Sequence, residues 1–375
     1  SSDLEQPVEK GALSQWQLTK LRFRKHKLAV GSMYVLIVLY TMALFAEFLA
    51  PMDKDNRNYD YMWCPPQMPK FNLEDGLHVH GMVNKTNPVT LETYYVVEKE
   101  VTVPLGFFVK GDPYEFWGLF EWDRHLIGVD RTEWDPPPDT EVQPVWFFLG
   151  SDRYGHDLFC RLIYGSRISL SIGLISIALT FFLGLLLGGI SGYAGGKTDL
   201  IIQRAIEIIN AFPGLPLWLA LAAVLPADWG PLTVYFMITV ILSALGWTGL
   251  ARVVRGKILS LREEDYAVAA RLMGAGHLRI IFRHLLPGFT SHIVVSLTLS
   301  VPVMILGETS LSFLGLGLRP PIVSWGVLLQ DCMDLQVVAN YPWLLMPVFM
   351  IIITVFAFNY MGDGVRDAAD PYSSN

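Results

Sequence analysis

Charged residues are scarce in this 375-residue chain. They make up 17% of it, against 52% hydrophobic residues, whereas average soluble proteins carry about 25% charged residues. This scarcity argues against an ordinary soluble domain and is expected of a chain embedded largely in lipid. An excess of basic charge is also missing, because the formal net charge is -7. The composition therefore indicates no nucleic-acid partner.

Cysteine is scarce too. Cys64, Cys160 and Cys332 show no C-x-x-C or Cys/His spacing, and their odd number provides no disulfide framework. His78 and His80 have the spacing of a metal-binding pair, but no third ligand is evident. We therefore expect this chain to bind no metal and no cofactor.

A complete phosphate-binding loop is missing as well. Residues 191–198 read SGYAGGKT, in which Gly196, Lys197 and Thr198 fit the loop pattern G-x-x-x-x-G-K-[ST]. Ser191 stands where the first glycine belongs, and the preceding run is apolar and unlike the strand of an α/β domain. The stretch predicts a tight turn between two spans, not a nucleotide site.

Long apolar runs, by contrast, are abundant. About 20 apolar residues in a helix cross the hydrocarbon core of a bilayer, and backbone groups in lipid must be paired within such helices. Pro213 and Pro216 interrupt one of the runs. The fold class predicted is an all-α integral membrane protein with six transmembrane helices, at 28–50, 168–193, 208–225, 232–250, 293–318 and 341–360.

Basic residues predict the orientation of these spans. The segment 1–27 ends in KLRFRKHK, and the loop 251–287 contains seven Lys and Arg residues. Basic loops remain in the cytoplasm, so we expect both on that side. Six spans within 28–361 would also return the tail, 362–375, to the cytoplasm.

The segment 51–150 is acidic by comparison. Residues 53–150 contain 17 acidic and 8 basic residues, and alternating runs such as TYYVVEKEVTV are typical of strands. We expect a folded insertion of mixed or β character on the periplasmic side. Residues 151–167 predict an amphipathic helix on the outer surface ahead of the second span.

The loop 251–287 contains a small-residue cluster that favours contact with a partner. Acidic residues at a helix start complement its dipole, and short side chains permit close approach to a partner. The alternative is a basic loop that only fixes topology. The acidic residues are Glu263, Glu264 and Asp265, and the small ones are Ala267, Ala269, Ala270, Gly274, Ala275 and Gly276.

The stretch DYAVAARLMGAGHLRIIFRHLLP resembles the EAA loop of ATP-binding cassette importer permeases. Val268 stands where that motif has an acidic residue. The matching positions are Ala269, Ala270, Gly274, Leu286 and Pro287.

Further stretches resemble the second membrane subunit of dipeptide and oligopeptide importers, and together they cover most of the chain outside 53–145. They are KLRFRKHKLAV, LGSDRYGHDLFCRLIYGSRISL, ETSLSFLGLGLRPP, SWG and GDGVRDAADP.

The resemblance implies a complex in the bacterial inner membrane. Its other parts would be a second homologous permease subunit, forming a heterodimer, two cytoplasmic ATPase subunits and a periplasmic substrate-binding protein. ATP and Mg²⁺ would bind to the ATPases, so this chain would not be an enzyme. Its coupling residues would be Glu263, Glu264, Asp265, Ala269, Ala270, Gly274, Ala275 and Gly276.

Short peptides are the cargo that the resemblance favours. Oligosaccharides, opines and nickel are alternatives within the same family. A secondary transporter would need internal repeats and several charges within the membrane. A membrane enzyme would need a catalytic constellation in 53–150, where the acids Glu92, Glu98, Asp112 and Glu121 form no recognisable motif.

Two residues within the spans predict a translocation path. Glu308 is an ionisable side chain inside a span, which must face water or the bundle interior. It either lines the path or forms a structural hydrogen bond with a hydroxyl such as that of Thr309 or Ser312. Pro302 removes a backbone hydrogen bond, and we expect it to bend the fifth span.

Overall fold

The computed structural model describes residues 15–73, 75–89, 93–138, 140–226, 228–276 and 279–369. Parts of the predicted terminal segments, 1–14 and 370–375, lie outside the described residues, as does Glu92. Most of the described chain is helical. The helices are α1 (Gln15–Lys25), α2 (Lys27–Leu44), α3 (Ala46–Leu49), α4 (Leu158–Ala194), α5 (Gly196–Asn210), α6 (Gly214–Ala223), α7 (Pro231–Leu261), α8 (Asp265–Leu272), α9 (Thr290–Phe313), α10 (Trp325–Leu328), α11 (Leu335–Asn340) and α12 (Met346–Ala369).

Five helical segments among the described residues are long and apolar enough to cross a membrane. They are Lys27–Leu44, Leu158–Ala194, Pro231–Leu261, Ile280–Phe313 and Pro342–Ala369. A sixth candidate, the pair Gly196–Asn210 and Gly214–Ala223, is bent by 85°. The chain is therefore a multi-pass membrane protein, as the apolar runs predicted.

The second predicted span begins earlier than expected. Residues 151–167 do not form a separate surface helix, because α4 runs without a break from Leu158. Its start is fixed by Asp157, whose carboxylate accepts a hydrogen bond from the Phe159 amide at 2.9 Å. Residues before it form a turn closed by a bridge between Ser151 and Asp157. Leu158 and Cys160 are buried, so the first turns of α4 pack inside the protein.

Two other predicted spans are also shorter than the helices that the structure shows. α7 continues to Leu261, so Arg252, Arg255 and Lys257, which we placed in the loop 251–287, belong to the helix. α12 likewise continues through the described part of the predicted tail, to Ala369.

The run 208–225 is not one straight helix. α5 ends at Asn210 and α6 begins at Gly214, after Pro213, which cannot donate a backbone hydrogen bond. α6 has 10 residues and is about 15 Å long, too short to cross a bilayer by itself. The interruption that the prolines indicated is therefore present, as a bend of 85° between two helices, and the bent pair begins at Gly196, earlier than the predicted 208.

The direction of α7 shows what the bent pair does. Ser171 of α4 meets Tyr235 of α7 near the start of both helices, with their hydroxyl oxygens 2.9 Å apart. Near the end of both, Gly192 lies against Arg255. α4 and α7 therefore run parallel, and the bent pair returns the chain from the end of α4 to the start of α7.

Glycines allow α4 and α7 to touch backbone to backbone. Gly184, Gly188 and Gly192 lie at four-residue spacing on one face of α4. A methyl group added to Gly188 would lie 2.5 Å from the Ala251 carbonyl oxygen. This is the small-residue packing that brings membrane helices close together.

Residues between α3 and α4, where the alternating pattern predicted β structure, form a four-stranded antiparallel sheet in the order β1-β2-β3-β4. Val79, Val103 and Trp146 are among the buried residues of its core. The strands are β1 (Lys70–Asn72), β2 (Gly76–Thr86), β3 (Thr93–Phe116) and β4 (Phe120–Val129).

The sheet and α8 lie at opposite ends of the helix bundle. α8 packs in one apolar cluster with Leu185, near the end of α4, whereas the sheet precedes the start of α4. His26, ahead of α2, lies 3.7 Å from Asp367 in the last turns of α12. The first and last described helices therefore meet at the α8 end, so both described ends of the chain lie on one side.

Gly188→Ala tests the contact between α4 and α7. The added methyl group would collide with backbone atoms of α7, and overpacking of this kind costs about 1–3 kcal/mol. We expect a lower midpoint of thermal unfolding for the purified protein, measured by intrinsic fluorescence.

Gly189→Ala is the matched control. Its methyl group would meet no atom closer than the Ile281 Cγ2 at 3.6 Å, an ordinary contact. Equal midpoints for the two variants would contradict the proposed close contact.

Candidate functional site

α8 is attached to the bundle by its smallest side chains. Ala267 and Ala270, three residues apart, are both buried in a cluster with Val254 and Ile258 of α7 and with Ile280. Residues three apart share a helix face. This face of α8 is therefore attached to the segment Ile280–Leu285, which itself packs against α7.

The opposite surface of α8 is open to solvent and unusually apolar. Leu272 is 83% exposed and Met273 is 81% exposed at the end of α8, and Tyr266 is exposed in its first turn. Acidic side chains lie at the start of this surface, where Glu264 forms the N-terminal boundary of the helix and Asp265 its first turn. Large apolar side chains in such positions usually mark a binding site.

The residues that we predicted to couple to an ATPase divide between these two surfaces. Ala270 is buried, and Ala275 is half-buried. The exposed members of the predicted set are Glu263, Glu264, Asp265, Ala269, Gly274 and Gly276. Sequence reasoning missed Leu272 and Met273, although their apolar character next to the glycine was a visible signal.

Gly274 ends α8 through its backbone conformation. Its φ is +79°, in the left-handed region that favours glycine. Its amide donates to the Arg271 carbonyl, and the Ala275 amide donates to the Ala270 carbonyl, each at 3.0 Å. These two bonds form the Schellman motif, which satisfies the last carbonyls of a helix.

Glu308 is fully buried between helices and does not line an open cavity. Its carboxylate accepts hydrogen bonds from Ser312 at 2.8 Å, from Ser324 at 2.7 Å and from Ser169 of α4 at 3.3 Å. The Ser169 hydroxyl in turn accepts a bond from the Trp325 amide at 3.1 Å. Of the two roles that the sequence left open, the geometry favours the structural hydrogen bond, and Ser312 is the partner on the same helix.

The bend between α5 and α6 borders a half-open cavity of about 260 Å³, which we call the bend cavity. Its lining combines apolar side chains with a few polar ones, as ligand cavities usually do. Pro302 is buried in α9 and is absent from the lining, although residues on both sides of it contribute. The lining comprises Ile209, Asn210, Phe212, Gly214, Leu217, Trp218, Leu245, Gly246, Ser300, Val303 and Met304.

One polar group of this lining has no partner among the described residues. The indole nitrogen of Trp218 is buried there without a hydrogen bond. Buried donors are nearly always paired, so an unpaired N–H at this position is unusual. The apolar run 208–225 gave no signal for it, because the cavity depends on the fold of α5 and α6 over α7 and α9.

The P-loop-like stretch 191–198 is a turn between helices. Gly195 and Gly196 both have positive φ, of 65° and 55°, and they join α4 to α5. A helix precedes the stretch, whereas a phosphate-binding loop follows a strand. Asp199, just beyond it, accepts two hydrogen bonds from Arg255 of α7, at 2.5 and 2.6 Å. This bidentate pair attaches the turn to α7.

A second charged cluster fastens the insertion to the start of α4, at the opposite end. The Asp152 carboxylate lies 2.8 Å from His156 Nδ1 and also accepts a hydrogen bond from Arg161. Burial alone would raise the pKa of Asp152, but the hydrogen bond with His156 and the charge of Arg161 lower it. The carboxylate therefore stays ionised and holds the turn 151–157. Sequence reasoning did not identify this cluster.

No metal site is apparent in the described part of the chain, where no three His, Cys, Asp or Glu side chains are grouped to hold an ion. Cys64, Cys160 and Cys332 are free cysteines.

The fold defines a multi-pass membrane component, and α8 lies exposed at one end of its helix bundle. The chain belongs to the family of binding-protein-dependent transport system inner membrane components, which matches residues 184–373. A second family, the N-terminal TM domain of oligopeptide transport permease C, matches residues 14–66.

The chain is similar to several peptide permeases. It is 32% identical to the oligopeptide permease protein OppC of Bacillus subtilis over 97% of this chain and 92% of that protein. It is 39% identical to the dipeptide permease protein DppC of the same organism over 68% of this chain and 76% of that protein. The glutathione permease protein GsiD of Pectobacterium atrosepticum is 37% identical over 69% of this chain and 79% of its own.

These similarities confirm the family that the motifs indicated. The chain is a permease subunit of an ATP-binding cassette importer, and it is not the subunit that hydrolyses ATP.

Glu308→Ala tests the structural role of this carboxylate. The change leaves the hydroxyls of Ser312 and Ser324 without their acceptor, and each unsatisfied buried group costs about 1–3 kcal/mol. We expect a clear fall in the midpoint of thermal unfolding.

Glu308→Gln, which keeps the shape and hydrogen-bonding capacity of the side chain, serves as the control and is expected to retain most stability and uptake. Normal stability with lost uptake in this variant would instead favour the path-lining role.

Paired substitutions of Gly274 separate backbone conformation from contact with a partner. Gly274→Val forces a β-branched residue into the left-handed region, at a cost of about 1–2 kcal/mol. We expect uptake to be lost, because α8 ends incorrectly.

Gly274→Asn is the control, because asparagine tolerates this conformation and no atom lies within 4 Å of an added Cβ. It should retain most uptake. Equal loss of uptake in both variants would show that position 274 must have no side chain, whatever its backbone conformation.

Proposed function

We propose that this chain forms half of the translocation pathway of an ATP-driven importer for short peptides, and that α8 is its coupling helix. Its partners are a second homologous permease subunit, two cytoplasmic ATPase subunits and a periplasmic substrate-binding protein. The observation that carries the proposal is the open apolar surface of α8, where Leu272 and Met273 project at the end of a membrane bundle. ATP and Mg²⁺ belong to the ATPase subunits.

The attachment of α8 supports a mechanical role. Its buried alanines attach it to the segment Ile280–Leu285 and, through that segment, to α7, and the glycine contacts fix α7 to α4. A displacement of α8 by a moving ATPase therefore displaces two membrane helices together. Interfaces of packed helices respond to such a displacement by switching between discrete arrangements. In this proposal, one arrangement opens the translocation pathway to the cytoplasmic side and the other opens it to the periplasmic side.

The bend cavity is the part of the pathway that this chain contributes. Phe212 and Leu215, at the bend between α5 and α6, are exposed in the isolated chain. A second permease subunit over this surface would close the cavity into a passage. The polar side chains of Asn210 and Ser300 would then offer hydrogen bonds to a moving solute. The bent pair provides the third of six membrane crossings.

The cargo assignment rests on the relatives. Those described above are named as permeases for dipeptides, oligopeptides and glutathione, which are all short peptides. A peptide backbone carries donors and acceptors that suit a largely apolar cavity with few polar groups. We therefore assign short peptides as the cargo.

The proposed location is the bacterial inner membrane, with both termini in the cytoplasm. Two observations support this orientation. α8 and the two described chain ends lie together at one end of the bundle. The basic segment KLRFRKHK precedes α2 at the same end, where the positive-inside rule expects it.

Leu272→Glu tests the coupling role. Loss of a central apolar anchor weakens an interface by about 2 kcal/mol or more, which is roughly a 30-fold weaker association. We expect the ATPase subunits to dissociate during purification of the complex, and peptide-stimulated ATP hydrolysis in proteoliposomes to fall accordingly.

Leu335→Glu is the matched control. Leu335 is 81% exposed on α11, at the end of the bundle that carries the insertion. We expect the Leu335→Glu variant to retain its ATPase subunits and to hydrolyse ATP at the unchanged rate. Normal assembly of Leu272→Glu, or ATP hydrolysis by this chain purified alone, would contradict the proposal.

A further inference from the structure

The turn between β3 and β4 consists almost entirely of large apolar residues. Residues 116–120 read FWGLF, whereas turns that face water are rich in Gly, Asn, Asp, Ser and Pro. Leu119 is 79% exposed, and Trp117 and Phe120 are exposed as well. We call residues 116–120 the apolar tip. An exposed apolar patch of this kind requires a covering partner.

The strands that lead to the apolar tip have two chemically different faces. Phe116 pairs with Phe120 across the hairpin, and their rings lie 5.4 Å apart. The next pair in register is Glu115 with Glu121, and both side chains are exposed. Because neighbouring strand residues point to opposite faces, the aromatic and acidic pairs face in opposite directions. One face of the hairpin is therefore apolar, and the other is acidic.

The aromatic face of the hairpin lies against the end of the first membrane helix. The Phe45 and Phe116 rings are 5.9 Å apart, and the Phe48 and Trp122 rings stack at 5.8 Å. The indole N–H of Trp117 donates to the carbonyl of Leu44, the last residue of α2, at 2.9 Å. The apolar tip is thus fixed at the point where α2 ends.

The length of α2 places this point at the boundary of the bilayer. α2 has 18 residues and is about 27 Å long, close to the thickness of the hydrocarbon core. Its side chains Val38 and Leu44 are exposed in the protein and so face lipid or another membrane subunit. Trp117 of the apolar tip contacts Leu44, the last residue of this helix.

Charged and aromatic groups at the same level support this position. Arg167 of α4 forms a bidentate pair with Glu47, with both distances 2.6 Å. The Arg167 guanidinium also lies 4.2 Å from the centre of the Trp117 ring. Tryptophan and long basic side chains are typical of the interface between lipid and water. The apolar tip therefore begins at the depth of the lipid headgroups.

We propose that the apolar tip inserts into the bilayer leaflet on the side of the insertion and anchors the sheet there. Trp117 occupies the headgroup level, Leu119 and Phe120 contact acyl chains, and Glu115 and Glu121 face water. The place of the tip at the end of a helix of membrane length, with Arg167 against Trp117, favours lipid as the occupant over a protein partner. The proposal depends on the membrane fold alone, so it stands or falls independently of the cargo and of the coupling role of α8.

Spin labels test the depth of the tip. Leu119→Cys is labelled in the assembled transporter, in nanodiscs of phosphatidylethanolamine and phosphatidylglycerol. The background carries Cys332→Ser, because Cys64 and Cys160 are buried and Cys332 is only partly covered. Collision rates are measured with oxygen, which concentrates in lipid, and with a water-soluble nickel chelate.

A label on Glu115→Cys is the matched control, since it lies on the acidic face of the same hairpin. We expect the ratio of oxygen to nickel collisions to be several-fold higher at position 119 than at 115. Equal ratios at the two positions would place the tip in water and overturn the proposal. Protection of position 119 from both reagents would show that a protein partner covers the tip, and would overturn it as well.

Discussion

The close parallel packing of α4 against α7 is the contact on which the rest of the structure depends. Membrane helices gain little from the hydrophobic effect on meeting each other, so van der Waals contact must hold them together. Gly188 and Gly192 provide it by bringing the two backbones together, and Gly184 makes room for the side chain of Leu250. Because the helices run parallel, the chain between them has to cross back, which it does through the bent pair α5 and α6. The bend cavity and the placement of α8 both follow from this arrangement.

Polar groups inside the bundle are used for cohesion. Glu308 connects α9 to α4 and to the segment before α10 through three serine hydroxyls. An ionisable group is costly within a membrane, and hydrogen bonds to all its neighbours offset that cost. At the two ends of the bundle, charged pairs perform a similar role. Asp199 with Arg255 secures the end that carries α8, and Glu47 with Arg167 secures the end that carries the sheet.

Much of the fold was accessible from sequence, because a bilayer imposes a length and an apolar composition on every crossing helix. Five of the six predicted spans contain a long helix, and the motifs identified the family correctly. The errors in the span boundaries come from contacts between distant parts of the chain. Residues 158–167 extend α4 because their apolar side chains pack inside the protein, and the basic residues 252–257 extend α7, where Arg255 finds the carboxylate of Asp199. The residues that pack against 158–167, and the carboxylate that pairs with Arg255, lie in other parts of the chain and cannot be predicted from the sequence of α4 or α7 alone.

The sequence by itself determined that this is a multi-pass membrane protein, where its apolar helices lie, and to which family it belongs. These properties depend on local composition and on short motifs, which can be recognised without knowledge of the tertiary structure. Tertiary structure alone decided that Glu308 is enclosed by hydroxyls, that Leu272 and Met273 project from α8, and that a cavity forms at the bend. Each of these features depends on contacts between residues far apart in the chain, for which no local pattern exists.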